Sequence, residues 1–179
     1  MTPSEANGPD RAATELAPAL AAECERQGLT VSAEAIPRLA AYAARLWDWN
    51  ERLNLTRHTD VERFVTRDIV DAVALEPHLA HGERILDVGT GGGVPGVLLA
   101  ILRPDLRVEL SESVGKRARA VAAILGEIGL PLPMHEGAAQ ELVARRPFGP
   151  RRFDTLVVRA VAPLAKLLGW FEPLADSYG

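Results

Sequence analysis

The chain has 179 residues, a length that predicts one domain with a core large enough to fold without disulfides or metal staples. Hydrophobic residues make up 47% and charged residues 25%, the balance of a soluble globular protein. With no apolar run near the ~18 residues of a membrane span and no signal-peptide pattern, a cytoplasmic protein is expected. The single cysteine, Cys24, excludes an internal disulfide and a cysteine-cluster metal site, so no metal is expected. The net charge of −4 excludes a polycationic nucleic-acid coat, yet the charge is uneven. Residues 1–80 hold 8 basic and 13 acidic side chains, whereas residues 81–179 hold 12 and 11.

Residues 1–10 read as a flexible polar tail. An alanine-rich helical pattern covers 11–27 and ends at Gly28. Ser32 can cap the next helix, whose apolar positions Ile36, Leu39, Ala40, Ala43, Leu46, Trp47 and Leu53 keep helical spacing. Thr59 through Glu62 has the form of a capping box, with Thr59 as the cap, opening a third helix that Pro77 stops. Residues 11–80 therefore read as a helical N-terminal cap. The pattern then changes. Strands are expected at 84–89, 107–112, 132–136 and 153–161, and helices at 95–102, 116–128, 138–145 and 163–171. Strands alternating with helices mean a parallel sheet with crossover connections, an α/β domain over 81–179.

The richest segment is Asp87-Val88-Gly89-Thr90-Gly91-Gly92-Gly93-Val94-Pro95-Gly96. Glycines let the backbone turn off a strand and approach a ligand closely, and the helix that follows presents N–H groups there. Glu112, at the end of the second strand, falls beside this loop and suits the two hydroxyls of a ribose. Gly91-x-Gly93-x-x-Gly96 formally matches a dinucleotide fingerprint, so an NAD(P)-dependent Rossmann oxidoreductase is one reading. Against it, Gly91 follows the strand late, and Pro95 removes an N–H where a pyrophosphate needs donors. Asp87 lies at the strand end, where it orders the loop's N–H groups or meets a cationic ligand. S-adenosylmethionine has a sulfonium, an ammonium, a ribose and an adenine but no phosphate, and it suits this loop better.

Several motifs in order resemble one family. Trp49-Asn50 with Asn54-Leu55-Thr56 resembles a WN…NLT signature. Arg67-Asp68-Ile69-Val70-Asp71 resembles an R-H-[IL]-x-D helix, with Asp68 in place of the histidine. Residues 87–96 resemble DVGTGxGFPG, with Val94 for the phenylalanine. Ser111-Glu112-Ser113 with Lys116-Arg117 resembles [DE]S…KR, and Val158-Arg159-Ala160 resembles SRA. Over residues 45–175 the chain thus resembles small-subunit ribosomal RNA methyltransferase G, the glucose-inhibited division protein B family. The resemblance implies a Rossmann-like, class I S-adenosylmethionine-dependent methyltransferase. It also implies methyl transfer to N7 of a guanosine in the decoding-region loop of 16S rRNA, with that RNA or the small ribosomal subunit as partner. By position it implies cofactor contacts at Gly89, Val94, Ala139, Gln140 and Arg159, with Glu112 on the ribose; Asp87, Gly91 and Gly93 complete the cofactor loop. The family's D-R-A-E stretch reads Gly137-Ala138-Ala139-Gln140 here. This departure keeps a third reading open, a non-catalytic RNA-binding methyltransferase relative.

Guanine N7 carries a lone pair and no proton, so no general base is required and catalysis rests on holding the reactants in line. Asn54, Thr56 and Arg159 are the positioning candidates. The alternatives are helix capping for Asn54 and Thr56 and a structural ion pair for Arg159. Asp71 is expected to hold Arg67 one turn earlier. His58, His78, His81 and His135 read as surface or loop histidines. Trp47 falls on the apolar stripe, and Trp49 is a possible stacking surface for RNA. Lys116, Arg117, Arg145, Arg146, Arg151 and Arg152 are the leading RNA-binding candidates, with Arg103, Arg107 and Arg119 beside them. The protein is expected to be a monomer. The strands expected here leave the C-terminal strands of the resembling fold missing, so the reading expects a truncated sheet with an exposed strand edge at 153–161.

Overall fold

The computed structural model describes residues 8–138, 141 and 153–172. Helix α1 (Gly8–Arg26) starts inside the stretch expected to be a tail, and it packs antiparallel to α2 (Ala35–Leu53). Gly28, at φ 68°, turns the chain between them, and Ser32 Oγ accepts the Ala35 N–H at 3.2 Å. Along α2 the side chains of Leu39, Ala43 and Leu46 are buried, as the spacing predicts, and Tyr42, which the spacing did not single out, is buried with them.

The third helical pattern is real but not uniform. It begins with α3 (Val61–Arg63), continues as a π-helix over Phe64–Ile69, returns to α4 (Val70–Leu75) and ends in a 3-10 turn at Glu76–His78. Its cap is Asp60, not Thr59: Asp60 is extended and its Oδ1 accepts the Arg63 N–H at 2.8 Å. Phe64, Val65, Asp68 and Ile69 all point inward from the π-helix.

A four-stranded parallel sheet follows, in the order β3-β2-β1-β4. Its strands are β1 (Arg84–Val88), β2 (Arg107–Glu112), β3 (Met134–Glu136) and β4 (Thr155–Val158). Helices α5 (Gly96–Leu102) and α6 (Gly115–Glu127) carry the crossovers, and α7 (Leu164–Phe171) follows β4. The central strand β1 is buried along Ile85–Val88, as a strand paired on both sides must be. The last strand is shorter than the sequence pattern, because the chain leaves the sheet at Arg159 and turns at Ala160, φ 54°. Among the described residues β4 is an edge strand. The stretch at 138–145 lies almost wholly outside the described residues.

One core joins cap and sheet. It runs from Leu20, Leu39, Tyr42 and Phe64 to Ile85, Leu98, Leu110 and Ile124. A second cluster, Leu86, Val88, Phe153 and Phe171, covers the other face. Trp47 packs edge-on to Phe64 at 6.0 Å and donates its ring N–H to the His58 carbonyl at 2.8 Å, in agreement with its place on the apolar stripe. No helix among the described residues is long and apolar enough to cross a membrane, and they hold no cluster of metal-ligating side chains.

Candidate functional site

The site lies where the sheet order reverses, at the C-terminal ends of β1, β2 and β4, which is where open α/β sheets bind ligands. The chain leaves β1 through Gly89 and Gly91, at φ 67° and 61°, a conformation glycine adopts without strain. A methyl group at Gly89 would stand 2.6 Å from Val161 Cγ2, so the glycine lets Val161 pack directly over the turn. Gly93 serves a different purpose: a Cβ there would meet Tyr42 Oη and Val97 at 2.8 Å. The space it frees is taken by the cap, and Gly93 does not line the cavity.

Asp87 lies beneath the loop. Its Oδ2 accepts the Thr90 hydroxyl at 2.5 Å and the Gly96 N–H at 2.8 Å. Of the two roles read from the sequence the structure supports loop ordering, because Asp87 is fully buried and does not line the cavity. Burial pushes its carboxyl up to about 6, against the hydrogen bonds from Thr90 and Gly96 that favour the charged form. Glu112 does line the cavity. Its Oε2 accepts the Gly91 N–H at 3.0 Å and its Oε1 the Val114 N–H at 2.8 Å. Oε1 also accepts the Ser113 hydroxyl at 3.4 Å, so Oε2 is the oxygen that retains a lone pair for a ligand.

Most of the loop's donors are satisfied within the protein. The Thr90 N–H goes to the Ser111 carbonyl, Gly93 and Val94 both go to the Thr90 carbonyl, and Val97 goes to the Gly93 carbonyl. Gly91 and Gly96 donate to Glu112 and Asp87, and Pro95 has no N–H. An incoming pyrophosphate would have to compete with these bonds while facing two carboxyl groups. A cationic, phosphate-free ligand meets neither obstacle.

Two adjoining cavities open here. One, about 360 Å³, is lined by the loop, Glu112, Val114 and Val161. The other, about 560 Å³, is lined by Asn54, Leu55, Thr56, Arg57 and His58. Leu55, Thr56, Arg117 and Arg159 border both. A larger apolar groove of about 630 Å³ lies along the outer side of β4 and α7, away from Glu112 and the glycines.

The positioning candidates come together, with local bonds of their own. Asn54 is the left-handed C-cap of α2, φ 49°. The Thr56 N–H donates to Asn50 Oδ1 at 2.8 Å, and Thr56 Oγ1 accepts the His58 N–H at 3.0 Å. Arg159 Nη1 lies 2.7 Å from Asp68 Oδ1 and 3.1 Å from Asp71 Oδ2. Asp71 therefore holds Arg159 and not Arg67, whose carbonyl also accepts from Arg159 at 3.4 Å. Nor is His58 a loose surface residue: its Nδ1 is 2.9 Å from Asp68 Oδ1. His81 and His135 pair with Asp105 and Glu109. The ring of the half-buried Trp49 carries Arg52, and its N–H reaches Glu127 at 3.4 Å. Arg103 and Arg119 are paired with Asp105 and Glu136. Ala139, Gln140, Arg145, Arg146, Arg151 and Arg152 lie outside the described residues. Sequence reasoning missed Tyr42 and the Asp68–His58 pair; for Asp68 the signal was present, as the position where the helix motif departs from its pattern.

A parallel sheet, a glycine turn after its central strand and an acid ending the neighbouring strand define a Rossmann-like α/β protein with the class I methyltransferase fold. Residues 35–179 match the family model of GidB, rRNA small subunit methyltransferase G, and the chain belongs to that family. A ribosomal RNA small subunit methyltransferase G of Rhodopirellula baltica is 44% identical over 149 residues, covering 83% of this chain and 62% of the relative. One of Desulfitobacterium hafniense is 37% identical over 155 residues, covering 87% and 64%. The chain thus spans just under two thirds of the length of these relatives. The fold is also similar to a crystal structure of MtNAS in complex with MTA and tNA. The TM-score is 0.53 and the identity 16%, with 92% of this chain and 61% of that chain covered.

Proposed function

We propose that the chain binds S-adenosylmethionine in the glycine-loop cavity and methylates N7 of a guanosine in the decoding-region loop of 16S rRNA, as a cytoplasmic monomer. The observation that carries the reading is the loop beside Glu112, most of whose donors are already bonded within the protein. It offers a ribose an acceptor and a sulfonium a negative surrounding, and it leaves few free N–H groups for a pyrophosphate.

When bound, S-adenosylmethionine supplies an electrophilic methyl group, and the guanine N7 lone pair forms the new carbon–nitrogen bond as the carbon–sulfur bond breaks, with no proton to remove. The protein's work is then orientation. Gly89, Gly91 and Val94 shape the cofactor side, Glu112 accepts from the ribose hydroxyls, and Ala139 and Gln140 are assigned to the adenine by their place in the family motif. Asp87 and Gly93 support the loop from behind. Arg159, Asn54 and Thr56 border the acceptor side. Lys116, Arg117, Arg145, Arg146, Arg151 and Arg152 are assigned to RNA phosphates. In this reading residues 11–80 form the cap and 81–179 the methyltransferase domain.

The test is transfer of labelled methyl from S-adenosylmethionine to small subunits, or to 16S rRNA, that lack the mark, followed by mapping of the modified base. Label at one guanine N7 is expected. Binding of the RNA with no transfer would replace the proposal by the non-catalytic relative.

A further inference from the structure

The acidic clamp on Arg159 has a consequence for the acceptor side, which rests on the proposed methyl transfer. Asp68 is fully buried, and it is carried inward by the π-helix, a feature that recurs at functional sites. Its Oδ1 takes both Arg159 Nη1 and His58 Nδ1, while its Oδ2 is buried without a partner among the described residues. Asp71, three residues on, takes Arg159 Nη1 from the same side. One end of the guanidinium is thereby fixed, which leaves Nη2 and Nε to serve a ligand. Arg159 borders both cavities, and His58 lines the 560 Å³ cavity. Arg117, whose Nε is also buried without a partner among the described residues, borders both as well.

We propose that Asp68 is a positioning residue. It holds Arg159 and His58 as walls of the cavity beside the glycine loop, and that cavity receives the flipped acceptor base. Enzymes that modify a base take it out of the stack into a pocket, and a volume of this size admits a purine. Arginine donors recognise the O6 carbonyl that neighbours guanine N7. Adenine carries an amino group at that position, so the same donors reject it. Asp68 thus acts through Arg159 on the choice and the seating of the base.

The test compares wild type, Asp68→Asn, Arg159→Ala and the double variant by methyl-transfer kinetics, cofactor affinity and melting temperature. Asp68→Asn keeps the side chain's shape, so the fold is retained. Its kcat/KM for the RNA is expected to fall at least about tenfold, with cofactor affinity held within about threefold. The double variant is expected to be no worse than Arg159→Ala alone, because both act on one interaction. Parallel losses of cofactor affinity, transfer and melting temperature, or a double variant with multiplied losses, would overturn the proposal. If wild type transfers no methyl group, the proposed function fails by itself. The positioning role is then read from the affinity for an RNA carrying the guanosine loop. Asp68→Asn weakens that binding about tenfold if the role is real, and unchanged affinity refutes it.

Discussion

A buried carboxyl group organises the loop from beneath. Asp87 sits where water cannot reach it and trades solvation for two hydrogen bonds, from Thr90 and Gly96. Burial wins, and the group titrates near 6 in the fold against 3.8 for an ordinary aspartate. Below about pH 4 the group is neutral in both folded and unfolded chains. As pH rises toward 6 the unfolded chain releases its proton first, so this group's contribution to stability falls across that window, by about 3 kcal/mol in all. Asp87→Asn removes the titration. In urea unfolding at pH 4 and pH 7, wild type is expected to lose stability relative to the variant as pH rises. A constant difference at the two pH values would show that Asp87 is not desolvated as described. The sequence pattern made the glycine turn and Glu112 legible, because glycine at positive φ and an acid one strand over are local signals. It did not show which glycine faces the ligand: Gly93 looks equivalent to Gly89 in a motif, and only packing against Tyr42 separates them.

At the scale of elements, the cap grips the loop through α2. The Tyr42 hydroxyl donates to the Gly92 carbonyl at 2.7 Å, with both groups in the core. Tyr42→Phe leaves that carbonyl without its partner, at a cost of about 1–3 kcal/mol. Denaturant unfolding is expected to show that loss, with weaker S-adenosylmethionine binding because the loop loosens. Unchanged stability and affinity would mean that the cap does not brace the loop. Helix positions in the cap were legible from spacing, since α2 buries a continuous stripe and α1 buries Leu20 and Cys24. The π-helix was not, because the apolar positions of Phe64–Ile69 fit an α-helical template as well. The bridges from that helix and from α4 to Arg159 span 88 to 91 residues of sequence, beyond the reach of any local pattern.

At the scale of the molecule, an acidic helical half and a mildly basic sheet half share one hydrophobic core, and the ligand cavities open along their junction. The alternation of strands and helices made the α/β architecture legible. The parallel order β3-β2-β1-β4 explains why a loop after residue 88 and an acid at 112 meet. The central claim is that this meeting point is a site for S-adenosylmethionine. A calorimetric titration of the chain, and of Glu112→Ala, with S-adenosylmethionine and separately with NADH tests it most directly. The account predicts saturable, roughly micromolar binding of S-adenosylmethionine, at least about tenfold weaker in the variant, and no saturable binding of NADH. Saturable NADH binding without S-adenosylmethionine binding would contradict it.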